Sequence, residues 1–163
     1  AFGDGMASLR EKRLIDPLRA HVLDKNRPLM GICLGMQLLA DEGEEYGHHK
    51  GLGLIRGRVV RLPTEPDCRV PNIGWCDVTP TRPDTRLFAR NRPAEPFYFA
   101  HSFHVECEEA SNVAATLCYG RRVLTAAVER TNLFGVQFHP EKSQDAGIDV
   151  LARFAESLRD QRN

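Results

Sequence analysis

The sequence has no apolar run of about 18 residues, so it offers no membrane-spanning helix. It also lacks a basic-then-apolar leader, a low-complexity stretch and an internal repeat, and the expectation is a soluble, untargeted chain. Charge of one sign is absent too. Lys plus Arg and Asp plus Glu both number 22, which removes the usual reason to expect a nucleic-acid or anionic-membrane partner. The five cysteines (Cys33, Cys68, Cys76, Cys107 and Cys118) are odd in number and form no CxxC pair. That argues against a disulfide framework or a structural zinc site and points to a reducing cytoplasm. No cofactor and no metal are expected; His101 and His104, three apart on one strand, would face opposite ways. What is present is 163 residues, 42% of them hydrophobic, enough for one core and a single domain over 1–163.

Helical texture comes first along the chain. Ala1 to Gly5 reads as a loop and Met6 to Arg13 as a helix, and Asp16-Pro17 restarts a helix to about Asp24 with Asp16 as N-cap. Asn26-Arg27-Pro28 breaks it. The apolar run Leu29 to Ile32 is too short for a helix and is expected to be a buried strand leading to Cys33. A further helix is expected from Leu34 to the acidic run that begins at Asp41. Strands follow: Ile55–Leu62, Val70–Val78, Phe97–Val105, Val113–Tyr119, Leu124–Glu129 and Leu133–Phe138, each bounded by turn-forming residues. Ile148 to about Asp160 closes the chain as a helix with Val150, Leu151, Phe154 and Leu158 on one stripe.

Two constellations carry chemistry. Gly31-Ile32-Cys33-Leu34-Gly35 places a cysteine between two glycines at a strand-to-helix transition, a nucleophile elbow with sulfur in place of oxygen. Helix N–H groups behind such a sulfur would favour the thiolate. A small buried core cysteine is the competing reading. Phe138-His139-Pro140-Glu141 follows an apolar strand, and a Glu two residues from a His can fix its tautomer and leave the other ring nitrogen for proton exchange. Alone, that pair would be a strand-end His beside a solvated carboxylate. With Cys33 upstream it reads as a Cys33/His139/Glu141 triad.

These stretches, extended through Met36-Gln37-Leu38-Leu39, resemble the class I glutamine amidotransferases. Val70-Pro71-Asn72-Ile73-Gly74-Trp75, Phe97 to Phe103, and Gln137 to Gln144 narrow the resemblance to the glutaminase subunits of imidazole glycerol phosphate synthases. The resemblance implies an α/β three-layer sandwich, a mostly parallel sheet flanked by helices with an antiparallel strand group inserted before the His strand. It implies that Cys33 attacks the glutamine carboxamide, that His139 protonates the ammonia and that Glu141 orients His139. Gln37 and Glu45 would hold the backbone end of the substrate glutamine with help from His101, Ser102 and Phe103, and Leu34 would supply an oxyanion N–H. Trp75 and Lys142 would face the partner, a (β/α)8 cyclase that uses the ammonia in histidine biosynthesis.

The family opens with a strand, a helix and a Pro-Gly-type loop that completes the oxyanion hole, and the match begins just after it. The expectation is an N-terminal truncation of roughly 30 residues or more, leaving the activity of this chain alone in question. Cys76 also stands where the family usually has Asn, and Gly43 where it often has Ser. The alternatives are a paralogue serving another acceptor, for example sugar amination, and a non-catalytic truncated subunit. A cysteine peptidase ranks below both, since nothing suggests an extended peptide cleft.

Overall fold

The computed structural model describes residues 1–89 and 93–159. Helices α1 (Phe2–Glu11) and α2 (Ile15–Leu23) lead to strand β1 (Leu29–Ile32) and the short helix α3 (Leu34–Leu38). Nine strands follow among the described residues: β2 (Ala40–Gly43), β3 (His49–Lys50), β4 (Ile55–Arg61), β5 (Asn72–Pro80), β6 (Glu95–His101), β7 (Phe103–Cys107), β8 (Val113–Tyr119), β9 (Arg122–Arg130) and β10 (Leu133–Val136). Helix α4 (Gln144–Arg159) comes last; the expected helix end at Asp160 lies outside the described residues.

One sheet runs β1-β10-β9-β8-β5-β6 and a smaller one β3-β2-β4-β7. All four residues of β10 are buried, as in a strand covered on both faces. Phe134 and Val136 turn to the side of Val150 on α4, where the Phe134 and Phe154 rings meet edge-on at 5.4 Å. Leu133 joins the opposite cluster with Val22 of α2 and Met36 of α3. Helices therefore cover both faces at β10, the layering expected of an α/β sandwich. Strand direction departs from the expectation, because only β1 with β10 and β2 with β4 run parallel and the other pairs are antiparallel. The cause is local. Two residues join β8 to β9 and two join β9 to β10, and such short links are possible only between antiparallel neighbours.

Several boundaries move for tertiary reasons. Helix α1 begins at Phe2, not Met6, because the fully buried Phe2 ring packs where a side chain on Gly43 would stand, 2.7 Å from it. That burial outweighs the low helix propensity of Gly3, Asp4 and Gly5. The expected Asp16 cap lies inside α2, whose N-cap is Leu14. Helix α3 stops at Leu38, since Ala40 to Gly43 pairs instead with β4, Ala40 opposite Ile55. The single strand expected over Phe97–Val105 is two strands interrupted at Ser102, where the chain crosses from the large sheet to the small one and the Ser102 carbonyl accepts the Leu62 N–H.

Candidate active site

Strands β1 and β10 are parallel neighbours in register, Ile32 beside Val136, so the segments that leave them emerge at one sheet edge. Cys33 leaves one strand and Gln137-Phe138-His139 the other. Cys33 has φ 50° and ψ −107°, a conformation L residues rarely hold, and its N–H donates to the Val136 carbonyl at 2.8 Å. The elbow closes tightly because a side chain on Gly31 would lie 2.5 Å from the Gly35 carbonyl.

The Cys33 Sγ accepts Gln137 Nε2 at 3.6 Å and the Leu34 N–H, and lies 4.0 Å from the Ala100 carbonyl. Burial pushes the thiol pKa up; the Leu34 and Gln137 donors pull it down, and the Glu141 charge adds to the rise. The net direction is upward, which corrects the expected helix-stabilised thiolate. A five-residue helix has little dipole to offer, and the site is half-closed to water. Resting Cys33 is a thiol that needs a base.

His139 is held by its neighbours. Its Nδ1 donates to Glu141 Oε1 at 2.8 Å, leaving Nε2 as the acceptor nitrogen. Partial burial opposes ionisation of Glu141, but its own backbone N–H and His139 outweigh this and hold the carboxyl below the usual range. The His139 N–H donates to the Tyr98 carbonyl (2.8 Å). Ser143 Oγ donates to the His139 carbonyl (2.6 Å) and accepts the Tyr98 N–H (3.0 Å), tying the loop to β6. Ser143 and Tyr98 lie within the stretches that carry the resemblance, yet nothing in their spacing signals this clamp.

A cavity of about 370 Å3 opens over Cys33 and is lined by Leu34, Gln37, Glu45, His101, Ser102 and Phe103. All six sequence-predicted substrate residues therefore line one space. Their polar groups are partly engaged already. Gln37 Nε2 donates to the Phe103 carbonyl (2.9 Å) and to Gln137 Oε1 (3.0 Å), and Glu45 Oε2 accepts the Phe2 N–H (2.7 Å). A larger cavity of about 610 Å3 borders Asp41, Arg58 and Cys107, but burial pushes the Cys107 thiol up to about 11, which removes it as a nucleophile at neutral pH. Among the described residues no group of three His, Cys, Asp or Glu side chains is placed to hold a metal ion.

His101 is 5% exposed, and burial depresses its pKa to about 4. Its Nδ1 donates to the Phe103 carbonyl (2.8 Å) and its Nε2 accepts Asn72 Nδ2 (3.1 Å), so both ring nitrogens are committed. The unfolded His titrates near 6.5. Between about 4 and 6.5 the unfolded chain binds more protons, so stability is complete above 6.5 and declines as pH falls through this window. The expected loss attributable to His101 is about 3 kcal/mol at pH 4. Buried His104, whose pKa is also depressed, acts in the same direction. Thermal midpoints measured from pH 7 to 4 should fall more steeply for the parent than for His101→Gln. Equal slopes would contradict the assignment.

Trp75 is 48% exposed and lies beside Ile73, at 63%. Trp75 meets the Tyr98 ring edge-on at 6.0 Å, and Lys142 Nζ sits 5.6 Å over the same ring. The two predicted partner-facing residues thus share one surface through Tyr98, the residue that also holds the His139 loop.

Comparison with known proteins follows the same lines. The family model of glutamine amidotransferase class-I matches residues 9–157. The imidazole glycerol phosphate synthase subunit HisH of Zymomonas mobilis is 47% identical over 156 residues, 94% of this chain and 71% of that protein. The subunit of the same name from Syntrophotalea carbinolica is 45% identical over 161 residues, 96% and 77% of the two chains. Among solved structures, a glutamine amidotransferase aligns with a TM-score of 0.64 at 21% identity, over 90% of this chain and 71% of the other. Another, from Thermotoga maritima, aligns with a TM-score of 0.54 at 18% identity, over 94% and 56%. At those identities the structural likeness concerns the fold.

Proposed function

The chain belongs to the class I glutamine amidotransferases, and from that membership we propose that it is the glutaminase subunit of an imidazole glycerol phosphate synthase, releasing ammonia from glutamine for a (β/α)8 cyclase partner in histidine biosynthesis. The observation that carries this reading is the strained Cys33 elbow at the same sheet edge as the hydrogen-bonded His139–Glu141 pair, over a cavity of about 370 Å3. The relatives named for that synthase support the choice of acceptor.

His139 Nε2 takes the Cys33 proton as Sγ bonds to the glutamine carboxamide carbon. The Leu34 N–H, already directed at the sulfur, serves the oxygen that gains charge. Collapse of the adduct breaks the C–N bond, and the proton on His139 leaves with the amine as ammonia. Water, deprotonated by His139, then cleaves the thioester to glutamate and restores the thiol. Glu141 holds the ring and stabilises the imidazolium throughout. Gln37 and Glu45 with His101, Ser102 and Phe103 form the glutamine pocket. The exposed Trp75, Ile73 and Lys142 form the cyclase-facing surface, apolar at its centre with a cation at its rim, in a cytoplasmic heterodimer.

A diazoketone analogue of glutamine tests the site. It should alkylate Cys33 in preference to the other four cysteines, because Cys33 is the cysteine that lines the cavity with Gln37 and Glu45. Cys107 is held protonated by burial, and Cys76 is also pushed up by burial and pairs with Asn72. Peptide mapping showing the label chiefly on Cys68 or Cys107 would exclude the assignment.

A further inference from the structure

Gln137 is fully buried, lies one residue beyond β10 and has its backbone N–H on the Ala126 carbonyl (2.8 Å). Its side-chain amide reaches both Gln37 and Cys33. Hydrogen bonding settles which way that amide points. The Phe103 carbonyl can only accept, so the Gln37 group facing it is the NH2. The same NH2 reaches the Gln137 amide at 3.0 Å, where it needs the oxygen. The remaining end of Gln137, its NH2, therefore faces the sulfur at 3.6 Å.

We propose that Gln37 and Gln137 form a relay of side-chain amides, anchored on the Phe103 carbonyl, that presents an N–H to Cys33 Sγ and stabilises the thiolate formed when the base acts. Gln137 touches the reacting atom. Gln37 is a positioning residue that locks the Gln137 amide in the donating orientation. The relay offsets two opposing influences on the same sulfur, burial and the Glu141 carboxylate. The remaining groups at the sulfur and in its cavity are the Leu34 N–H from α3, the Ala100 carbonyl and His101 from β6 and Glu45 after β2, and the variants below leave all of them in place. The sulfur lies in a part-closed site, where a donor to an ion matters more than it does in water.

The inference rests on Cys33 being the nucleophile, but its test needs no glutamine turnover. Iodoacetamide alkylation of Cys33 in the full chain, followed by the mass of its peptide from about pH 7 to about pH 12, reports the midpoint of thiolate formation, which burial already places above the ordinary thiol value. Gln137→Met keeps the length of the side chain and removes the donor. It should raise the midpoint by about one pH unit, a roughly tenfold loss of thiolate at any pH below it. Gln37→Met leaves Gln137 intact but frees its amide to turn, and should move the midpoint in the same direction by less. It also supplies the test if Gln137→Met does not fold. A role confined to packing would lower the thermal midpoint and leave the alkylation midpoint where it is in the parent; that result in the folded variants overturns the relay. Shifted midpoints in the variants, together with a parent chain that releases no glutamate with its cyclase present, would support the relay and count against the glutaminase reading alone.

Discussion

Replacing Cys33 with serine should reduce glutamate release in the presence of the cyclase by at least about a thousandfold and change stability by less than about 1 kcal/mol. The two parts have separate causes. Structure at residue 33 is held by the backbone, with the N–H on Val136 and φ at 50°, and neither depends on whether sulfur or oxygen follows Cβ. Chemistry depends on it entirely. An alkoxide is far harder to form than a thiolate, and burial together with the Glu141 charge already works against an anion at this position. Glutamate release and urea unfolding of the purified variant give both numbers. Parent-like turnover would remove Cys33 as the nucleophile, whereas loss of fold together with activity would leave the chemistry unmeasured by this variant and pass the decision to analogue labelling of the parent.

The Cys33 elbow and the His139–Glu141 pair were legible in the sequence because each is specified locally. Leu29 to Ile32 forms a strand with the expected bounds, and the following Cys33 takes the elbow conformation. Glu141 stands two residues from His139 around Pro140, close enough for its carboxylate to accept the ring N–H. What could not be read depends on partners distant in the chain. The end of α3 is decided by a β4 strand that pairs with residues 40–43. The break at Ser102 exists because two sheets compete for one segment. Gln137 stands one position before Phe138 and reads as a polar residue ending a strand. Its contact with Cys33 spans 104 positions and arises only when β1 and β10 pair. The thiol pKa was misjudged for a related reason: sequence shows the helix that follows Cys33 but neither its brevity nor the burial around the sulfur.

The glycines that flank the elbow look equivalent in the sequence, and the structure separates them. A Cβ at Gly31 would lie 2.5 Å from the carbonyl carbon and oxygen of Gly35 and 2.6 Å from the Met36 nitrogen. These are backbone atoms of the opening turn of α3, so no rotamer change can relieve the overlap and the helix itself must move. Gly31→Ala should therefore cost about 3 kcal/mol. A displacement of Cys33 of the order of 1 Å should lower glutaminase turnover by about a hundredfold. At Gly35 an added Cβ meets no atom within 4 Å, and the residue is helical. Gly35→Ala should gain roughly 0.5–1 kcal/mol, because alanine loses less backbone entropy in a helix. Urea unfolding of the two variants, read beside the parent, sets the opposite signs against each other. If both alanines destabilise the chain equally, the close approach of β1 to α3 does not define the elbow. If Gly35→Ala is the more stable variant but binds the diazoketone analogue less well, then the open space at Gly35 belongs to the pocket. The first glycine then serves the turn and the second the substrate.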